Sequence, residues 1–156
     1  MNLNSIGVGS AGRGAAGGAK GRVIIFAPPE GEDGRKLKKA LRRAGAEVIV
    51  PVPDEYGAAL GQFAGVRGIP APELPEDIRE KAMTALSLRP TYPELPDTLI
   101  VFALQEEDAL ERALEAVKNC GAGPFPYKAV LTPTNMTWSV YECFRQIKEE
   151  HEQMNS

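Results

Sequence analysis

The stretch RVIIFAPPEGEDGRKLKKALRRAGAEVIVPV, residues 22–52, decides the fold class. Val23-Ile24-Ile25-Phe26 is a short, wholly apolar and mostly β-branched run, which predicts a central strand buried on both faces. Pro28-Pro29 stops it. From Asp33 to Ala44 the apolar spacing turns helical, with Leu37, Ala40, Leu41 and Ala44 on one face and Gly45 as the C-terminal stop. Glu47-Val48-Ile49-Val50-Pro51-Val52 then reads as a second strand. The three elements form a βαβ unit, for which a right-handed crossover is the rule.

Working outward, the pattern returns near the C-terminus. Thr98-Leu99-Ile100-Val101-Phe102-Ala103 predicts a third strand. Glu106, Glu107 and Asp108 open a helix at its dipole-positive end; Leu110, Ala113, Leu114 and Val117 line its inner face, and Lys118 and Gly121 close it. Lys128-Ala129-Val130-Leu131-Thr132 predicts a fourth strand. A last helix is expected from about Thr137 to Met154, with Val140, Tyr141, Phe144, Ile147, His151 and Met154 near one face. Between the two βα pairs the signal weakens. Asp54 to Pro72 is rich in Gly and Ala, with Leu60, Phe63 and Val66 as anchors for a turn or two. Leu74-Pro75-Glu76-Asp77 starts a helix carrying Ile78, Ala82, Met83 and Leu86, and Arg89 to Pro96, with three prolines, reads as an extended connector. The expected architecture is a three-layer α/β/α sandwich on a mostly parallel four-stranded sheet. Its expected strand order is 2-1-3-4, by analogy with flavodoxin-like and Rossmann-like sheets.

Composition supports one domain. The chain has 156 residues, 43% hydrophobic and 25% charged, enough for a core without disulfide or metal staples. Residues 1–21 are low-complexity Gly, Ala and Ser, so a disordered tail is expected there, followed by a single α/β domain over 22–156. No apolar run approaches a membrane span and the N-terminus lacks the apolar core of a signal peptide, so a cytoplasmic location is expected. Two distant cysteines, Cys120 and Cys143, and a lone His151 show no metal-ligand spacing, and neither a metal nor a cofactor is expected. Asn135-Met136-Thr137 matches a glycosylation sequon that is irrelevant inside the cell.

Tempting motifs fail on context. Gly7-Val8-Gly9-Ser10-Ala11-Gly12 matches G-x-G-x-x-G, but no strand precedes it and no helix follows, so the pyrophosphate would meet no helix N-terminus. Lys20-Gly21 is not a P-loop. The turn that does follow the first strand, Ala27 to Gly34, has two prolines without N–H donors and three carboxylates, Glu30, Glu32 and Asp33, which repel a phosphate. An acidic Mg²⁺ pocket of the response-regulator type would need an aspartate where Ala103-Leu104-Gln105 stands. The acids are better explained as helix-capping charges.

Two regions remain as candidates. The helix from Asp33 carries Arg35, Lys36, Lys38, Lys39, Arg42 and Arg43. Such a run is usually a solvated face. It could also contact a protein partner, for which Arg35, Lys38, Lys39 and Arg42 are the candidates, or nucleic-acid phosphates. The chain's net charge of −3 and the lack of interleaved aromatics speak against nucleic acid. The second region is Leu131-Thr132-Pro133-Thr134-Asn135-Met136-Thr137-Trp138, which leaves a strand and enters a helix, the position where open α/β sheets bind ligands. Thr132, Thr134 and Asn135, with Glu30 and Gln105 completing a rim, would be the polar contacts. The commoner meaning of such residues is turn formation and helix capping by Asn135 or Thr137.

Lys128-Ala129-Val130-Leu131-Thr132-Pro133-Thr134-Asn135, followed by Trp138 and then Glu149-Glu150-His151, resembles the C-terminal signature of the bacterial proteins grouped as domain of unknown function thirty-seven eighty-three. Leu99 to Gly121 looks like that family too, and Leu60 to Gly65 extends the resemblance, which otherwise covers about the last sixty residues. It implies a small bacterial cytosolic protein and assigns no activity, cofactor or catalytic residue. The leading expectation is a non-catalytic protein-interaction or regulatory module. A small-ligand-binding or enzymatic domain at the Thr132–Asn135 edge is the first alternative, and nucleic-acid binding through residues 35–43 the second. Oligomeric state and partner identity are open.

Overall fold

The computed structural model describes residues 21–84 and 92–155. The Gly-rich stretch 1–20 with its glycine motif, and residues 85–91 with Leu86 and Arg89, lie outside the described residues, as do the side chains of Met83 and Thr84. The elements in chain order are β1 (Arg22–Phe26), α1 (Glu32–Arg43), β2 (Glu47–Ile49), a 3-10 turn (Pro53–Glu55), α2 (Leu60–Phe63), α3 (Glu76–Thr84), β3 (Leu99–Ala103), α4 (Glu107–Lys118), β4 (Lys128–Val130), a second 3-10 turn (Asn135–Thr137) and α5 (Val140–Met154).

The sheet has the expected order, β2-β1-β3-β4. β1 pairs parallel with β2, and β3 parallel with β4. The central pair is antiparallel, with Arg22 opposite Ala103, Ile24 opposite Val101 and Phe26 opposite Leu99. The sheet is therefore mostly parallel with one antiparallel pairing, unlike the all-parallel sheet of a flavodoxin-like fold. Val23 to Phe26 and Leu99 to Phe102 have no exposed surface, which requires cover on both faces. α1 and α4 pack side by side on one face. Phe26 turns to the other, where it meets Tyr56 and Phe63 edge-on at centroid distances of 5.6 and 5.2 Å, and Tyr56 in turn meets Tyr141 of α5. Each fully buried Val, Ile or Phe contributes about 1.5–3 kcal/mol of transfer free energy.

The two halves are related by an approximate two-fold axis through the β1–β3 pairing. Ile24 pairs with Ile49 as its counterpart Val101 pairs with Ala129. α1 and α4 are both 12 residues long. Leu37 and Leu41 are buried in α1 as Ala113 and Val117 are in α4, and the helices lead into Gly45 and Gly121, with φ of 98° and 90°. In each half a turn follows the second strand. The Val52 N–H donates to Glu55 Oε1 at 2.9 Å, and the Thr132 N–H to Asn135 Oδ1 at 2.8 Å. The Ala58 N–H donates to the Glu55 carbonyl, as the Trp138 N–H does to that of Asn135. The next residues, Ala59 and Ser139, bridge to each other. Residues 22–63 and 99–154 are two copies of one structural unit, the second with a much longer final helix.

Three boundaries differ from expectation. β2 ends at Ile49, since Val50 and Val52 are exposed and Pro51 offers no donor. β4 ends at Val130 because the chain there enters the turn closed by Asn135. α5 begins at Val140, after a 3-10 turn, and its cap is Ser139, whose Oγ accepts from the Glu142 N–H at 3.0 Å.

Gly34 shows how tightly α1 enters its layer. A Cβ there would lie 2.2 Å from the Pro29 carbonyl oxygen. Gly34→Ala should lower the unfolding free energy by about 1–3 kcal/mol in urea titration, the overlap outweighing the gain of about 1 kcal/mol in helix propensity. A variant as stable as the parent would contradict this packing.

Candidate functional site

The β4–α5 junction is a self-satisfied turn. Asn135 accepts from the Thr132 N–H through Oδ1 and donates through Nδ2 to the Val130 carbonyl at 3.0 Å; its own N–H donates to Thr132 Oγ1 at 3.1 Å. Thr137 Oγ1 donates to the Thr134 carbonyl. The polar groups of Thr132 and Asn135 thus hold the backbone, and neither Asn135 nor Thr137 caps the helix.

The proposed rim does not assemble. β1 runs antiparallel to β3, so Glu30, after β1, lies at the opposite edge of the sheet from Gln105 and the β4 turn. Gln105 is exposed beyond β3, on the same edge as Thr132. A cleft of about 410 Å³ opens beside Trp138, lined by Pro72, Leu74 and Pro75 on one side and Ser139, Glu142 and Arg145 on the other. It takes in none of Thr132, Thr134 and Asn135. Two of its charged groups are committed to each other: Arg145 Nη2 donates to both Glu142 oxygens at 2.6 and 2.7 Å, and Gln146, on the same helix, donates to Glu142 Oε2. The Arg145 hydrogen bonds hold the Glu142 carboxyl below its ordinary range.

A polar cluster not foreseen in the sequence lies at the carboxyl end of β1. The Tyr56 hydroxyl, buried, donates to Glu94 Oε1, which also accepts from the Leu95 N–H at 3.0 Å. The Tyr141 hydroxyl donates to the Pro93 carbonyl at 2.6 Å, and Thr98 Oγ1 to the Ala27 carbonyl at 2.6 Å. Burial, reinforced by the Glu94 charge, pushes both phenols well above their ordinary value, so they stay protonated donors. These bonds fasten residues 93–98 to the sheet. They also secure Ala27, whose φ of 55° is uncommon for a residue with a Cβ. No short motif announces the cluster, because Tyr56, Glu94 and Tyr141 are far apart in sequence. Burial also pushes the Cys143 thiol up to about 12, so it is not a thiolate near neutral pH. His151, half-buried, stacks edge-on against Tyr127. Among the described residues no group of three or more His, Cys, Asp or Glu is placed to hold a metal ion.

The outer surface of the α1/α4 layer is strongly charged. Arg35, Lys36, Lys39, Arg42 and Arg43 are exposed and Lys38 half-exposed. Only Arg35 makes an ion pair among the described residues, with Glu32 of its own helix at 2.6 Å. Beside this basic helix α4 exposes Glu107, Asp108, Glu111 and Glu115. At two of the two-fold-related positions the sign inverts, Glu111 standing where α1 has Arg35 and Glu115 where it has Lys39; at two others it is kept, Arg112 standing for Lys36 and Lys118 for Arg42.

Comparison with known proteins agrees with this division of the chain. Residues 98–154, essentially the second structural unit, match the family model described as Domain of unknown function (DUF3783). No curated protein and no solved structure matches the chain. Among the described residues no helix is long and apolar enough to cross a membrane.

The shared turn allows a paired test. Asn135→Ala leaves the half-buried Thr132 N–H and Val130 carbonyl without partners, and should cost about 1–3 kcal/mol of unfolding free energy. Glu55→Ala, at the exposed equivalent, should cost under about 1 kcal/mol, because water replaces the lost acceptor. Equal losses would show that the two turns are not built as described.

Proposed function

We propose that this chain is a protein-interaction module whose docking face is the α1/α4 layer, with Arg35, Lys38, Lys39 and Arg42 as the principal contacts to an acidic protein surface. One observation carries the reading. Among the described residues, Arg35 alone of the cations of α1 has an ion-pair partner, although an acidic helix packs alongside. Charges left unpaired on a rigid helix keep their field for an incoming partner, steering its approach and setting its register. Thr132 and Asn135, two of the strand-edge side chains that a ligand site would use, are engaged in turn hydrogen bonds, which favours interaction over small-molecule chemistry. Nucleic acid is disfavoured by the neighbouring carboxylates of α4. Helices in one layer lie about 8–10 Å apart, close to the Debye length of about 8 Å, so a polyanion on α1 would feel Glu111 and Glu115. A bacterial cytoplasmic setting fits two unpaired cysteines, one a buried thiol.

Affinity capture with the full chain, at about 0.15 M salt and after nuclease treatment, tests this. The wild type should retain a discrete protein that the fourfold variant Arg35→Glu, Lys38→Glu, Lys39→Glu, Arg42→Glu loses, with circular dichroism confirming that the variant folds. Recovery of the same proteins by both would refute the reading, as would a wild type that binds neither another protein nor a second copy of itself.

A further inference from the structure

We infer that the partner of the α1/α4 face is a second copy of this chain, docked face to face so that α1 of each copy lies on α4 of the other. The inference rests on α1 being a docking face and adds what occupies it. The shape of the layer is two-fold symmetric, since α1 and α4 are equivalent helices of equal length packed side by side. Its charge is not: Arg35 and Lys39 on one helix are answered by Glu111 and Glu115 at the same positions of the other, and all four are exposed.

Such a face complements itself. β1 and β3 are antiparallel, so α1 and α4, each returning from its own strand, are antiparallel to one another. Two closed two-fold arrangements of the layer on itself are then available. With the axis in the interface and across the helices, α1 would meet α1 and α4 would meet α4, setting like charges together. With the axis in the interface and along the helices, α1 meets α4 of the other copy twice over, antiparallel, so opposite side-chain charges and opposed helix dipoles both attract. Electrostatics selects the second arrangement. Arg35 and Lys39 then face Glu111 and Glu115 of the other copy, with Leu114, 36% exposed, supplying apolar contact. Arg35 must exchange or share its own-helix partner Glu32, and Glu115 keeps the hydrogen bond it accepts from Asn119.

Size sets the strength. Two helices of about 18 Å length, spaced about 10 Å apart, offer a footprint of roughly 400 Å² per copy, half the ~800 Å² per partner of a standard stable interface. The dimer is therefore weak, reversible and driven by charge, and salt dissolves it.

Sedimentation equilibrium of the full chain across a concentration series up to about 0.5 mM, at low salt and at about 0.5 M salt, reads this directly. The wild type should rise from 16.8 kDa toward twice that mass at low salt and return to the monomer at high salt. Arg35→Glu with Lys39→Glu sets acid against acid at the two contact positions and should weaken association at least about tenfold; Glu111→Lys with Glu115→Lys sets base against base there and should do the same. An equimolar mixture of the two double variants should recover the wild-type strength as a heterodimer, as should the fourfold charge-swapped variant. Misfolding cannot mimic that recovery. A wild type that stays monomeric at low salt, or double variants that fail to recover on mixing, overturns the inference. If the wild type is monomeric while a different acidic protein is captured through α1, the docking reading survives and self-association does not. If the monomer instead binds a DNA or RNA oligonucleotide through α1, both fail.

Discussion

The antiparallel pairing of β1 with β3 is the constraint on which the rest of the molecule depends. It joins two βα units back to back, with Ile24 opposite Val101 near the centre. Had the same strand order been built with parallel pairing throughout, all strand carboxyl ends would share one edge and form the crevice where open α/β sheets bind ligands. Here they are divided, those of β1 and β2 at one edge and those of β3 and β4 at the other. The same pairing places α1 and α4 on one face, so that a basic and an acidic helix become neighbours. The absence of a shared rim and the presence of a bipolar face are two consequences of one strand direction.

Energetically the pairing lies in the driest part of the core. All of Val23 to Phe26 and Leu99 to Phe102 are shielded from water, so the ladder between them is well protected. The polar cluster of Tyr56, Glu94 and Tyr141 secures the segment that returns the chain to β3. The duplicated turns do the same at the outer strands, through a side-chain acceptor that closes on a backbone N–H three residues earlier. Glu55 does this in solvent and Asn135 in partial burial, which is why equivalent geometry carries unequal weight. Ser139 and Ala59, bridged at the centre, tie the two turns together.

β1, α1, β3 and α4 were legible in the sequence because apolar periodicity and terminal charges state them directly. The strand order was legible too. Strand direction was not, since residues 64–98 contain too little periodic signal to say which way the chain returns. The repeat was hidden because the units share burial and hydrogen-bond roles rather than residue types: Glu55 stands for Asn135, Ala59 for Ser139, Leu37 for Ala113. The cap of α5 was missed although Ser139-x-x-Glu142 ahead of Tyr141, Cys143 and Phe144 has capping-box spacing; Asn135 and Thr137 drew attention first. Of the two candidate regions, the polar junction proved to be a turn. The basic run gained meaning only when the fold set α4 beside it.

The most direct measurement is the pattern of cross-strand nuclear Overhauser effects between residues 22–26 and 99–103. Antiparallel pairing brings opposed Cα atoms to about 4.5 Å at alternate positions. The account therefore predicts strong Hα–Hα cross-peaks at alternate pairs in the register that sets Arg22 opposite Ala103 and Phe26 opposite Leu99. The pattern of a parallel ladder between these strands, or contacts in another register, would contradict the two-fold arrangement and everything derived from it.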